Sequence, residues 1–86
     1  METVYLLLGE YDGRKWEHTI ETEIYANLKD ARKALKENFE ESKNYLLENC
    51  DEDDIEIEYQ DADSFLIQSD DFDHWAEYSI HEKKIN

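Results

Sequence analysis

Residues 16–24 read Trp16-Glu17-His18-Thr19-Ile20-Glu21-Thr22-Glu23-Ile24. Trp16, His18, Ile20, Thr22 and Ile24 alternate with Glu17, Thr19, Glu21 and Glu23. A period of two over this length belongs to a β-strand with one face toward a core and the other toward water. Upstream, Val4, Leu6 and Leu8 alternate with Tyr5 and Leu7, so residues 3–10 read as a strand apolar on both faces, the mark of a central position in a sheet. Asp12-Gly13 signals a turn between the two strands. A three-residue loop, Tyr11-Asp12-Gly13, pairs Leu8 with Trp16, Val4 with Ile20 and Glu10 with Arg14. A two-residue loop sets Leu7 opposite His18 and brings Glu17 and Glu21 beside Leu8 and Val4, turning the wrong face inward. The longer loop is favoured, with Val4, Leu6 and Leu8 on the buried face.

Downstream, Asn27 is an N-cap with Asp30 three residues on. Leu28, Ala31, Leu35, Phe39, Leu46 and Cys50 then fall on one helical stripe, with Ser42 on the same line. Glu37, Glu41, Asn44 and Glu48 fall opposite. This spacing predicts an amphipathic helix of about six turns laid on a sheet. Lys29, Arg32, Lys33 and Lys36 stand near its N-terminal end and Glu40, Glu41 and Glu48 near its C-terminal end, the reverse of what the helix dipole favours. The basic end is expected to neutralise an acidic strand or loop of the fold.

Asp51–Asp54 reads as an acidic turn. Ile55, Ile57 and Tyr59 alternate with Glu56, Glu58 and Gln60 in a third strand. Asp61-Ala62-Asp63 turns into a short strand at Phe65-Leu66-Ile67, residues 69–73 form another acidic loop, and residues 75–83 a last strand with Ala76, Tyr78 and Ile80 on one side. The order is ββαβββ. The expected class is α+β, a mostly antiparallel sheet with one amphipathic helix packed on one face, in a single small acidic domain spanning residues 1–86.

Composition narrows the function. Nine basic and 24 acidic residues leave a net charge of −15, yet 13% of the chain is aromatic, which disordered acidic segments are not. Between Lys43 and Lys83 there is no basic residue, while fourteen acids lie there, so residues 44–82 alone contribute −14. Nucleic acid and anionic membranes would repel such a chain. Val4–Leu8 is too short for a signal or a span, and Cys50, alone, forms no internal disulfide. These features point to a cytoplasmic protein.

No motif supports catalysis. Asp61-x-Asp63 begins like a calcium loop but has Leu66 where glycine is needed and Phe72 where glutamate is needed; Asp51-x-Asp53 fails as well, with Ile55 at a ligand position. His18, His74 and His81 lie in different elements without metal-ligand spacing. His74 reads as a solvated loop residue and His18 as packing beside the core near Leu6. Cys50, on the helix stripe among acids, reads as a buried and inert thiol. Trp16, Phe39 and Tyr59 fall on core-facing periodicities. The chain is therefore read as a non-enzyme with no cofactor and no dedicated metal site.

What remains is the acid. Asp51, Glu52, Asp53, Asp54, Glu56, Glu58, Asp61, Asp63, Asp70, Asp71 and Asp73 could form a ridge for a basic partner, with Phe72 and Trp75 as aromatic anchors. A domain about 30 Å across would match a duplex of the same length, which carries roughly eighteen charges. In size and charge, though in no motif, the chain is similar to small phage-encoded inhibitors of host restriction or CRISPR machinery. The resemblance implies a nucleic-acid mimic that occupies a basic nucleic-acid-binding protein. The alternative is a small regulatory or structural module that forms a homodimer through an apolar sheet face, its acidity serving solubility.

Overall fold

A computed structural model describes residues 2–13, 18–69 and 74–85. They form β1 (Glu2–Gly13), β2 (Thr19–Tyr25), α1 (Leu28–Asn49), a 3-10 turn (Glu52–Asp54), β3 (Ile55–Gln60), β4 (Ser64–Ser69) and β5 (His74–Ile85). The class is α+β, in the order ββαβββ. The strands make one antiparallel sheet in the order β2-β1-β5-β4-β3, with α1 across one face.

The Asn27 side chain caps α1, its Oδ1 accepting from the Asp30 backbone N–H at 2.8 Å. Ala31, Leu35, Phe39 and Leu46 are the buried helix positions, the stripe expected from spacing. Leu35, Phe39 and Leu46 meet Leu7 of β1, Phe65 and Ile67 of β4, and Ala76 and Tyr78 of β5. The Phe65 ring stacks on Tyr78, centroids 5.1 Å apart, and meets Phe39 edge-on at 5.3 Å.

Several expectations need correction, and one long pairing explains the first two. β1 does not turn at Asp12-Gly13. It continues beside β5 from Glu2 opposite Ile85 to Gly13 opposite His74. Its pairing with β2 is displaced accordingly: Leu8 lies opposite Thr22 and Glu10 opposite Ile20, in place of the Leu8–Trp16, Val4–Ile20 and Glu10–Arg14 pairs. Trp16 and Arg14 themselves lie outside the described residues. The buried parity also reverses. Leu7 faces the helix at 3% exposure, while Leu8 lies on the other face at 36%. Once the strand runs on past Leu8, the even positions include Glu10 and Asp12, and the odd ones include Gly9 and Tyr11. Only the odd set of β1 can be buried without stranding that strand's own carboxylates, and the acids it brings to the helix side from β2, Glu21 and Glu23, accept from Tyr11, Tyr78 and Tyr25. The even partners on β2, Ile20 and Ile24, are therefore exposed, at 70% and 67%.

The third correction concerns β3. Ile55 pairs with Ser69 and Ile57 with Ile67, but a bulge follows and Tyr59 pairs with Leu66. One extra residue reverses the side-chain parity. Tyr59 thus stands on the sheet face away from α1, 40% exposed, and is not core.

The histidines also move. His74 is the buried first residue of β5, its backbone N–H donating to Ser69 Oγ at 3.2 Å and its ring 5.8 Å from Tyr45. The Ala76, Tyr78, Ile80 alternation extended back two residues places it on the core side. His18 is exposed, with Nε2 2.7 Å from Glu10 Oε1. Cys50 is half-buried at the helix end, its backbone N–H donating to the Leu46 carbonyl at 2.7 Å. The Cα extents are 47 × 22 × 17 Å, so the molecule is longer and flatter than the 30 Å body that size scaling implies.

Candidate functional site

β3 is an edge strand, with β4 on one side and, among the described residues, no strand on the other. The chain reaches it directly from the C-terminal end of α1 through Asp51–Asp54, where the Asp54 N–H donates to the Asp51 carbonyl at 2.9 Å. Asp51, Glu52, Asp53, Asp54, Glu56 and Glu58 are all exposed along this turn and strand. Ile55 tethers the stretch by packing against the core. The Glu58 carboxylate accepts from Gln68 Nε2 at 2.7 Å, which orders one acid of the row. Charge on an edge strand also discourages pairing with another chain.

At the other end of β3 the acids have internal work. Asp61 Oδ1 accepts from the backbone N–H of Asp63 at 2.8 Å and of Ser64 at 2.9 Å. These bonds, with the Ser64 hydroxyl, hold its carboxyl below the usual aspartate range. Asp63 Oδ1 receives Arg32 Nε at 2.9 Å, so the basic end of α1 does neutralise an acidic turn. The eleven acids of the expected ridge therefore divide. Six follow one another in an exposed row, Asp61 and Asp63 are engaged at the far end, and Asp70, Asp71 and Asp73 lie outside the described residues. Phe72 lies outside them too. Trp75 is half-buried in β5, opposite Asp12 and Gln68, with its ring centroid 6.4 Å from that of His18.

The sheet face away from α1 carries Val4, Leu6 and Leu8 beside Ile20 and Ile24, an apolar patch on the β1–β2 side. Lysine and glutamate rim it at Lys83 and Glu10.

A further group has no signature in the sequence. Glu21 of β2 accepts from two tyrosines, Tyr11 Oη to Oε1 at 3.1 Å and Tyr78 Oη to Oε2 at 3.3 Å. Tyr78 reaches it by lying across Gly9, where a Cβ would be 2.2 Å from its Cε2. Burial, then the Glu21 charge, pushes the Tyr78 phenol up; Tyr11 is raised likewise. Tyr25 donates to Glu23, and that bond with burial raises its phenol to about 12. Ordinary alternation along β2 does not single out Glu21, because its tyrosine partners come from two other strands.

Among the described residues no three His, Cys, Asp or Glu side chains are grouped to hold a metal ion, and no helix is long and apolar enough to cross a membrane. No protein-family model, curated protein or solved structure matches the chain.

Proposed function

We propose that this chain is a non-enzymatic interaction module that binds a basic, nucleic-acid-binding protein by presenting the β3 edge as a polyanion, as restriction or CRISPR inhibitors of the mimic type do. One observation carries the reading: six exposed carboxylates, from Asp51 to Glu58, follow one another through the turn and into β3, an edge that no other described strand covers. β3, six residues long, spans about 20 Å and itself carries two of the six, Glu56 and Glu58, with the other four bunched in the turn before it; one strand of duplex DNA carries about six phosphates over that length. The likeness is in the number of charges, to one phosphate strand, with four of the six crowded at one end. It does not extend to the whole molecule, because 47 Å of duplex carries roughly 28 charges against 15 here. Rigid, closely spaced charge steers association and makes it salt-dependent. The compartment consistent with this role is the cytoplasm.

The exposed Leu8, Ile20 and Ile24 favour a second reading, a homodimer through the open sheet face. One experiment separates the two. The immobilised protein is incubated with cell lysate at low salt, then eluted with a salt gradient or with free duplex DNA. Under the polyanion reading, a nucleic-acid-binding protein comes off at moderate salt and is displaced by DNA. A variant with Asp51, Asp53 and Asp54 changed to Asn and Glu56 to Gln then retains none of it. Equal capture by that variant overturns the reading, and salt-insensitive recovery of the chain itself supports the dimer.

A further inference from the structure

Between α1 and the β2 side of the sheet lies a half-open cleft of about 260 Å³. Tyr11, Glu21 and Tyr78 line it from the sheet, and Asn38, Glu41 and Ser42 from the helix. It lies on the opposite side of the sheet order from β3, so it is separate from the acidic edge. It is smaller than pockets that enclose drug-sized molecules, which start near 300 Å³. A single side chain is the right scale.

Its chemistry is one-sided. Two carboxylates, Glu21 and Glu41, face phenolic rings, and no lysine, arginine or histidine among the described residues lines it. The Glu21 carboxylate is also held in place. A carboxylate offers about four lone-pair sites over its two oxygens. Tyr11 takes one on Oε1 and Tyr78 takes one on Oε2. One acceptor site remains on each oxygen, the arrangement that a planar guanidinium fork meets with two parallel N–H bonds. Tyr11, half-buried, offers a ring against which the same plane can stack. The floor is preformed, because Tyr78 lies over Gly9 and is stacked on Phe65.

We infer that this cleft is a binding site for an arginine side chain of a partner protein, with Glu21 as the bidentate acceptor and Glu41 as the second counter-charge. An ammonium group would be held less well, since it is a point charge that cannot use both Glu21 oxygens in the fork geometry. The inference does not depend on the β3 edge: either site can fail without the other.

The test is an NMR titration of the full chain with Nα-acetyl-arginine amide at constant ionic strength, with the corresponding lysine and glycine amides as comparisons. The expected result is saturable shifts at Tyr11, Glu21, Glu41 and Tyr78, with the lysine amide at least threefold weaker and the glycine amide silent. Glu21→Gln and Glu41→Gln should each weaken the arginine probe at least threefold. Glu41→Gln removes an exposed carboxylate and leaves the tyrosine bonds intact, so it serves if Glu21→Gln disturbs folding. Non-saturating shifts, shifts of equal size along residues 51–58, equal binding of the lysine amide, or unchanged binding by Glu41→Gln would each overturn the assignment.

Discussion

At Gly9 the absence of a side chain decides how the sheet is covered. A Cβ there would stand 2.2 Å from Tyr78 Cε2 and 2.6 Å from Cδ2. The ring cannot swing clear, because Tyr78 is 4% exposed and stacked on Phe65. Gly9→Ala should destabilise the protein by about 1–3 kcal/mol, the usual scale of overpacking, as read by chemical denaturation. Tyr78→Leu in the same chain should cost less than the sum of the two single changes; strict additivity would show that the ring is not the obstacle. Asp61 supplies the pH-sensitive residue. Its folded pKa is lowered by the Asp63 and Ser64 donors, so its contribution is present above the usual aspartate value of 3.8 and lost as pH falls through the folded value. Asp61→Ala should therefore lower Tm at neutral pH, and the gap should close in acid. A gap of constant size at every pH would mean that ionisation plays no part in the turn.

At the scale of elements, α1 and β1 show local preference and long-range pairing pulling in different directions. The helix starts where Asn27 caps it, but its last turn holds no basic residue and ends beside Asp51 and Asp54. Glu48 is exposed there, so its charge opposes both the helix dipole and its neighbours. Glu48→Lys should raise stability by about 0.3–1 kcal/mol in low salt, measured by thermal melting. A loss would mean that Glu48 has a favourable partner. In β1 the Asp12-Gly13 turn signal is overridden, since twelve residues of β5 pair with twelve of β1 and the ladder gains more than the turn.

Across the whole molecule, like charges repel one another at close range. A charge of −15 on a flat body 17 Å through its thinnest dimension is weakly screened in dilute buffer. Raising ionic strength from about 0.01 M to about 0.15 M shortens the screening length from about 30 Å to about 8 Å. Tm should rise over that range, followed by circular dichroism. It should rise less in the variant with Asp51, Asp53, Asp54 and Glu56 neutralised. A falling Tm would show that pairs such as Arg32–Asp63 outweigh the repulsion.

The amino-acid sequence alone determines the class, the order of elements, the capped helix with its buried stripe, and the acidic row from Asp51 to Glu58. Each is a local matter of period, cap or composition within one segment. The tertiary structure decides which face of β1 is buried and where the face of β3 changes. Leu7 rather than Leu8 is buried because β5 keeps β1 extended to Gly13, and Tyr59 leaves the core because one bulge reverses its parity. The same is true of the candidate cleft. Tyr11, Glu21 and Tyr78 come from three strands that become neighbours only when the sheet closes, and no spacing along the chain encodes that distance.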